Sequence, residues 1–384
     1  MSVVEPKLLG DLITLKRGYD LPEKDRVLGE YPVISSSGIS GYHNEYKVLG
    51  EGVVTGRYGT LGKMYFVEGG YWPHNTALYV QDFKGNDPKY IYYLLNCIGR
   101  IHTSDKSAVP GVNRNELHAM AVPFISCKKE QVSVRNLLST IDKKIELNNK
   151  INTELEAMAK LIYDYWFVQF DFPDANGKPY KSSGGKMVYS EKLKREIPEG
   201  WAAKELSDIA NITMGQSPAG SSYNDDGKGA MFFQGSTDFG DRFPSVRKYT
   251  TEPSRVAKSG DVLLSVRAPV GTLNIADNDC CIGRGLAALN SKHGADSFLF
   301  YVMLYFKQIF DLRNSAGTTF GSITKDDLFS LKLVYPGPSI LSKYDKVVSG
   351  FNVKILNNHK QNQELIKLRD WLLPMLMNGQ VTVK

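Results

Sequence analysis

The stretch NNKINTEL, residues 148–155, returns 210 positions later as NHKQNQEL, residues 358–365. The two strings share Asn, Lys, Asn, Glu and Leu in the same order. Each sits inside a longer heptad pattern. In the first pattern Val134, Leu138, Ile141, Ile145, Asn148, Asn152, Leu155, Ala159, Ile162 and Trp166 step alternately by four and three. That spacing keeps one face of a helix turned towards a partner. Adding 210 gives Tyr344, Val348, Phe351, Ile355, Asn358, Asn362, Leu365, Arg369, Leu372 and Leu376. Both seams carry two Asn at the same heptad places, which independent helices would rarely reproduce. A tandem duplication explains the match.

The patterns predict two long helices, over roughly 130–168 and 339–373. Pro374 is expected to stop or kink the second near its end. A helix of about 36 residues is roughly 54 Å long, too long to leave its apolar stripe bare. The simplest solution is for the two helices to pack on each other. The chain between them crosses a whole globular segment, which permits an antiparallel pair. Seam Asn residues would then fix register, because a slipped partner leaves a buried amide unpaired. The competing reading is that these Asn are only half-exposed.

Working outward, the rest of the chain is also written twice. LGDLITLKRG (9–18) resembles LSDIANITMG (206–215). GEGVVTGRYGTLG (50–62) resembles KSGDVLLSVRAPVG (258–271), with Arg57 and Arg267 at matching places. SAVPGVNRNEL (107–117) resembles GTTFGSITKDDL (317–328). These segments are Gly-rich, with short β-branched or apolar runs between turns, the signature of short strands. Helical stretches follow at 88–98 and 296–310, and Asn113 with Glu116 and Thr324 with Asp327 look like caps. The fold class is α+β: two globular domains of mixed short strands and helices, alternating with two long helices packed as an antiparallel coiled coil. The boundaries read as 1–127 first domain, 128–170 first helix, 171–200 connecting loop, 201–337 second domain, and 338–384 second helix and tail.

The chain has 384 residues, 42% hydrophobic and 23% charged, ordinary for a globular protein of two or three domains. No apolar run approaches the ~20 residues of a membrane span, and MSVVEPKLLG lacks a signal-peptide layout. The four Cys show no C-x-x-C spacing. The cytoplasm is the expected compartment. Net charge is +6, yet residues 1–127 and 190–337 are each neutral. The surplus lies at 128–189 (+2) and 338–384 (+4), so charge alone does not establish nucleic-acid binding.

Catalytic and metal constellations are missing. No Pro-Pro pair exists for an Asn/Asp-Pro-Pro-Tyr/Phe methylation loop. Gly283-Arg-Gly285-Leu-Ala-Ala288 fits a loose G-x-G-x-x-A without a clean strand before it, and the P-loop match at Gly62-Lys63 has Arg57 where Gly is required. A nuclease would need clustered carboxylates, and Asp226-Gly-Lys228 reads as a surface turn. The six His are scattered. The chain is expected not to be an enzyme and to hold no metal.

Between the two copies stands LIYDYWFVQFDFPDANGKPY (161–180), followed by LKREIPEGW (193–201). These phrases, with Glu130-Gln131 at the first helix start and LLPMLMNGQV (372–381), resemble the specificity subunit of type I restriction–modification systems over the full chain. The second helix departs from that pattern, opening with PSILSKYD instead of a Glu-Gln phrase. The resemblance implies that each globular segment is a target-recognition domain reading half of a bipartite double-stranded DNA target. The helix pair would set the spacing. Each repeat would recruit one methyltransferase (M) subunit, with restriction (R) subunits added, and S-adenosylmethionine, ATP and Mg²⁺ would be used by those partners and not by this chain.

Base edges are read by Arg, Lys, Asn, Gln, Ser and Thr. In the first domain the expected DNA contacts are Arg57, Tyr58, Lys63, Ser36, His74 and Asn75; in the second they are Arg267, Gln234, Ser236, Arg242 and Arg284. For each Arg a salt bridge or a phosphate contact is the alternative. Tyr163, Tyr165 and Phe167 face away from the seam and are expected to touch a methyltransferase. The competing function is a coiled-coil scaffold that binds proteins and no DNA, which the neutral domains favour.

Overall fold

The computed structural model describes residues 4–57, 63–98, 113–315 and 322–383. The chain divides into two compact units, Met1–Asn148 with Lys360–Lys384, and Asn149–His359.

The first unit runs β1 (Val4–Leu8), α1 (Leu9–Leu12), β2 (Thr14–Arg17), β3 (Tyr31–Ser35), β4 (Gly38–His43), β5 (Val48–Leu49), β6 (Gly52–Gly56), β7 (Met64–Val67), β8 (Gly70–Pro73), β9 (Ala77–Asp82), α2 (Pro88–Cys97), α3 (Arg114–His118), β10 (Ala121–Ile125) and the start of α4 (Lys128–Tyr163), whose residues after Asn148 belong to the second unit. Its sheets are β1-β10, β2-β9-β6-β7 and β4-β3-β8-β5, with β3 and β8 parallel. The second unit contains β11 (Met187–Ser190), β12 (Arg195–Pro198), β13 (Ala202–Glu205), α5 (Leu206–Ile209), β14 (Ala210–Met214), β15 (Tyr223–Asn224), β16 (Ala230–Phe233), β17 (Lys248–Thr250), β18 (Val256–Ala257), β19 (Val262–Ser265), β20 (Leu273–Ile275), β21 (Cys280–Ile282), β22 (Leu286–Ser291), α6 (Asp296–Ser315), α7 (Lys325–Phe329), β23 (Lys332–Tyr335) and the start of α8 (Pro338–Met377), whose residues from Lys360 belong to the first unit. After the β11-β12 hairpin its sheets repeat the first unit: β13-β23, β14-β22-β19-β20, and β15-β17-β16-β21-β18 with β16 and β21 parallel.

Backbone hydrogen bonds show the duplication more sharply than side chains do. Gly18 N–H donates to Ala77 O (3.0 Å) as Gly215 N–H donates to Leu286 O (2.9 Å). Tyr19 to Pro73 (2.8 Å) matches Gln216 to Ile282 (3.0 Å), and His74 to Ile34 (2.8 Å) matches Gly283 to Phe233 (2.8 Å). The glycine ending each repeated phrase is required by close approach. A Cβ at Gly18 would lie 2.2 Å from His74 O, and one at Gly215 2.2 Å from Gly283 O. The same register corrects one expectation. Gly56 pairs Ala77 as Ser265 pairs Leu286, so Arg57 is matched by Val266, and Arg267 stands one residue further on.

In each unit a globular domain packs on pieces of both long helices. In the first, α1, α2, β9 and β10 enclose Leu9, Ile13, Val80, Tyr90, Ile91, Leu94 and Phe124 together with Val134 and Leu138 of α4 and Leu376 and Met377 of α8. The buried Leu376 and Met377 hold the last turn of α8, so the helix continues past Pro374, which removes only one N–H donor. Gln131 explains the Glu-Gln phrase. It is buried, donates through Nε2 to Ile125 O (2.9 Å) and accepts through Oε1 from Asp87 N–H (3.0 Å). In the second copy Asp345 Oδ1 accepts from Ser297 N–H (3.2 Å), a different residue tying helix to domain.

The seam positions are all buried or half-buried. In the first unit Asn148 Nδ2 donates to Asn362 Oδ1 and Gln361 Oε1, both at 2.8 Å. In the second, Asn358 Nδ2 donates to Asn152 Oδ1 at 2.8 Å. Among the described residues no helix is long and apolar enough to cross a membrane.

Two partner-contact expectations are overturned. Tyr163 and Phe167 are buried in the second unit, where Phe167 meets Phe298 (4.9 Å between centroids) and Tyr344 (5.0 Å), and Tyr163 stacks on Tyr301 (5.9 Å). Helix α4 and the π-helical turn Asp164–Val168 are covered on two faces, by α8 and by α6, so facing away from the seam does not mean facing solvent. Tyr165 alone of the three is exposed.

Candidate nucleic-acid interface

In the first domain the ends of β3, β6 and β8 converge. Arg57 N–H donates to Thr76 O (2.9 Å), Ser36 N–H to Thr76 Oγ1 (3.4 Å), and His74 Nδ1 lies 3.1 Å from the same hydroxyl. One rim therefore gathers Ser36, Arg57, His74 and Asn75. Lys63 joins it through the β6-β7 hairpin, where Thr55 Oγ1 donates to Lys63 O (3.2 Å). Its ammonium lies 5.5 Å from the Tyr65 ring centre. Tyr58 lies outside the described residues. Arg17 belongs to the same rim, its Nε donating to Asn75 O (3.2 Å), while the Asn75 amide donates to Asp20. Burial and the nearby Arg26 charge hold the His74 imidazole below its ordinary pKa. It is therefore neutral at pH 7 and serves as a hydrogen-bonding group, not a cation.

In the second domain the homologous strand ends gather Gln234, Arg267 and Arg284, all exposed. Gln234 Nε2 donates to Ser217 Oγ (3.2 Å), and that hydroxyl also accepts from Arg284 N–H (3.3 Å). Val266 N–H donates to Gly285 O (2.9 Å), which sets Arg267 beside Arg284. Ser236 is half-buried and opens the turn Ser236–Asp238. Gly283 and Gly285 serve this packing: a Cβ at Gly285 would lie 2.6 Å from Gln234 O. They join strand to strand, so the dinucleotide fingerprint lacks its required helix.

Arg242 is not at this rim. It is 7% exposed and bonded to Glu156 (3.2 Å) and Asn352 (2.7 Å), so its guanidinium has no access to a groove. The Asp226–Lys228 pair, 3.6 Å apart, is an exposed turn. Sequence reasoning missed Arg17 and Arg26 in the first domain and Ser217 in the second. Arg17 stood in view, one residue before the close-approach glycine of the repeated phrase.

What these rims offer is a cationic and amide-bearing edge at homologous places in two domains, suited to hydrogen bonding with base edges and phosphates. The sequence profile described as "Type I restriction modification DNA specificity domain" matches residues 1–157 and again 198–367, one match per copy. The chain belongs to this family. It is a specificity subunit of a type I restriction–modification system, and its two recognition domains suit a bipartite DNA target.

This specificity subunit is 33% identical over 313 residues to a protein named as the MjaX type I restriction enzyme specificity subunit of Methanocaldococcus jannaschii, spanning 78% of this chain and 69% of that one. It is 27% identical to the MjaIX specificity subunit of the same organism over 79% and 73% of the two chains. With the HindI specificity subunit of Haemophilus influenzae it shares 24% identity over 66% and 68%. The solved S subunit from M. genitalium has the same fold, with a TM-score of 0.65, 17% identity and coverage of 97% and 96%.

Proposed function

We propose that residues 1–127 and 201–337 each read one half-site, and that the long helices 128–170 and 338–384 pack as an antiparallel coiled coil that sets the spacing between half-sites. Residues 171–200 join the copies. The duplicated rim of strand ends supports this reading most directly: two homologous hydrogen-bond frames present different side chains, Ser36, Arg57, His74 and Asn75 in one, Gln234, Arg267 and Arg284 in the other. A common frame with exchanged side chains suits one mode of docking with two different sequences read.

The partner surface is reassigned from Tyr163 and Phe167 to two outward stripes. Met158, Leu161 and Tyr165 are exposed on one helix, and Leu368, Trp371 and half-buried Met375 occupy the places 210 residues later on the other. Leu161 is 68% exposed and Trp371 60%, far more than packing within one chain requires. Two equivalent stripes support two copies of one partner, an M subunit on each, with R subunits joining that assembly. In this reading the chain is a non-catalytic cytoplasmic adaptor, and S-adenosylmethionine, ATP and Mg²⁺ act on the partners.

The test is to co-express the chain with the methyltransferase subunit of a type I system from the same genome and map the methylated positions. A target of two fixed half-sites at constant separation supports the proposal. Co-purification without any sequence-specific methylation or footprint favours the scaffold reading instead.

A further inference from the structure

The link between β16 and β17, residues 234–247, does something that its counterpart in the first domain cannot. There, β3 and β4 pair Ser35 with Gly38, leaving only a two-residue turn. Here the loop is long and folds back within the second unit. Its stem is fixed to β20: Ile275 N–H donates to Arg242 O (2.8 Å), and Asn274 exchanges bonds with Gly240 at 2.9 and 3.2 Å. From that stem Arg242 reaches both long helices. Its Nη1 donates to Glu156 Oε1 of α4 (3.2 Å) and its Nη2 to Asn352 Oδ1 of α8 (2.7 Å).

Other contacts hold this arrangement. Asn352 Nδ2 donates onward to Ser297 Oγ (3.1 Å), and the guanidinium lies 4.6 Å from the Phe300 ring centre. The next residue, Phe243, packs its ring against His359 of α8, tilted by 33° with centroids 4.4 Å apart, two helical turns beyond Asn352. The His359 imidazole is 3.6 Å from buried Asp277 of the same domain. A planar, permanently charged fork is the side chain suited to bridging two acceptors on different helices. A buried cation held by one half-exposed carboxylate and one amide is strongly position-dependent, since removing its partners strands the charge.

We infer that residues 234–247 brace the second recognition domain against both helices, and that Arg242 is a positioning residue deciding which half-site spacing the complex accepts. This rests on the reading of the helix pair as a spacer. A domain held at three points on two helices can present its rim at one setting only. Without the bridge the domain gains freedom to meet a half-site displaced by a base pair, while the residues at its rim still read the same bases.

The experiment uses the assembled methyltransferase complex on two DNA libraries. One fixes both half-sites and varies their separation by minus one, zero and plus one base pair. The other fixes the separation and randomises the half-sites. Arg242→Met is expected to raise the ratio of misspaced to correctly spaced methylation about tenfold, the scale of one charge-assisted hydrogen bond, with half-site preference unchanged. Asn352→Ala shifts the ratio the same way by less, and decides the matter if Arg242→Met fails to assemble. An unchanged ratio overturns the brace. So does equal loss of methylation at every spacing, the mark of a merely structural role, or an altered base preference, which would return Arg242 to the DNA. A wild-type complex with no bipartite target at all would instead defeat the spacer reading.

Discussion

Arg57, a proposed DNA contact, and His118, which holds the domain together, are two side chains whose roles can be separated by experiment. Arg57 follows β6, and its backbone is fixed by Thr76 O, so the side chain starts from a rigid point. Replacing it with Ala is expected to weaken cognate DNA binding by the assembled complex about 5- to 150-fold, equivalent to 1–3 kcal/mol for a well-placed contact. Subunit assembly should be unchanged, and unaltered cognate affinity at moderate salt would remove Arg57 from the interface. His118 is structural: its Nε2 accepts the Leu15 N–H at 2.9 Å, which only a neutral ring can do. Burial, with the charges of Arg114 and Lys84, lowers its pKa from the ordinary 6.5. The unfolded chain therefore binds the proton first as pH falls, and the stabilisation present above 6.5 is lost progressively below it. Denaturation midpoints taken at about pH 7.5 and 5.5 should fall with acid in the wild type. In His118→Gln, which keeps an acceptor without titrating, that part of the fall should disappear; an identical fall would show that His118 is not its source.

At the level of elements, the seam amides are the most informative feature. Asn148 is fully buried, with both amide hydrogens used by Gln361 and Asn362. Asn148→Leu leaves the Asn362 amide buried without this partner and is expected to cost about 1–3 kcal/mol. Adding Asn362→Leu should recover most of that loss, because two apolar groups replace the amide pair, in which Asn148 Oδ1 is itself buried without a hydrogen-bond partner among the described residues, while register becomes less constrained. Urea titrations of the three chains check this, and additive losses in the double variant would contradict it. The helices were readable because a heptad stripe with two matched interruptions is a long-range signal written locally. The ends of α4 were less readable for a physical reason. A heptad marks one buried face, whereas Tyr163 and Phe167 lie on a second, covered by α6, whose position no local pattern reveals. Arg242 escaped in the same way, since nothing in 234–247 states that this loop folds back onto helices distant in sequence. The rims were half legible: Arg57, His74 and Arg284 follow from loop chemistry. The one-residue offset between Arg57 and Arg267 emerges only from strand pairing.

At the scale of the whole molecule, duplication makes a claim about stoichiometry that side-chain exposure can test. Met158, Leu161 and Tyr165 lie at i, i+3 and i+7 on one helix, and Leu368, Trp371 and Met375 repeat the spacing on the other. Such positions form one continuous stripe on a helix. Neither stripe is used by the seam, and among the described residues nothing covers their exposed apolar side chains. A partner helix laid along each stripe would bury both sets, and an exposed Leu or Trp at the centre is where binding energy concentrates. Leu161→Glu should therefore remove one M subunit and leave the other, and Trp371→Glu should do the same from the opposite copy. Because both residues are exposed, each variant should keep the wild-type melting temperature. Native mass measurement of the co-expressed complex should give two M subunits per chain for the wild type, one for either single variant and none for the double. Loss of both subunits from a single substitution would mean that the two sites are coupled, and retention of both in the double variant would place the M subunits elsewhere on the chain.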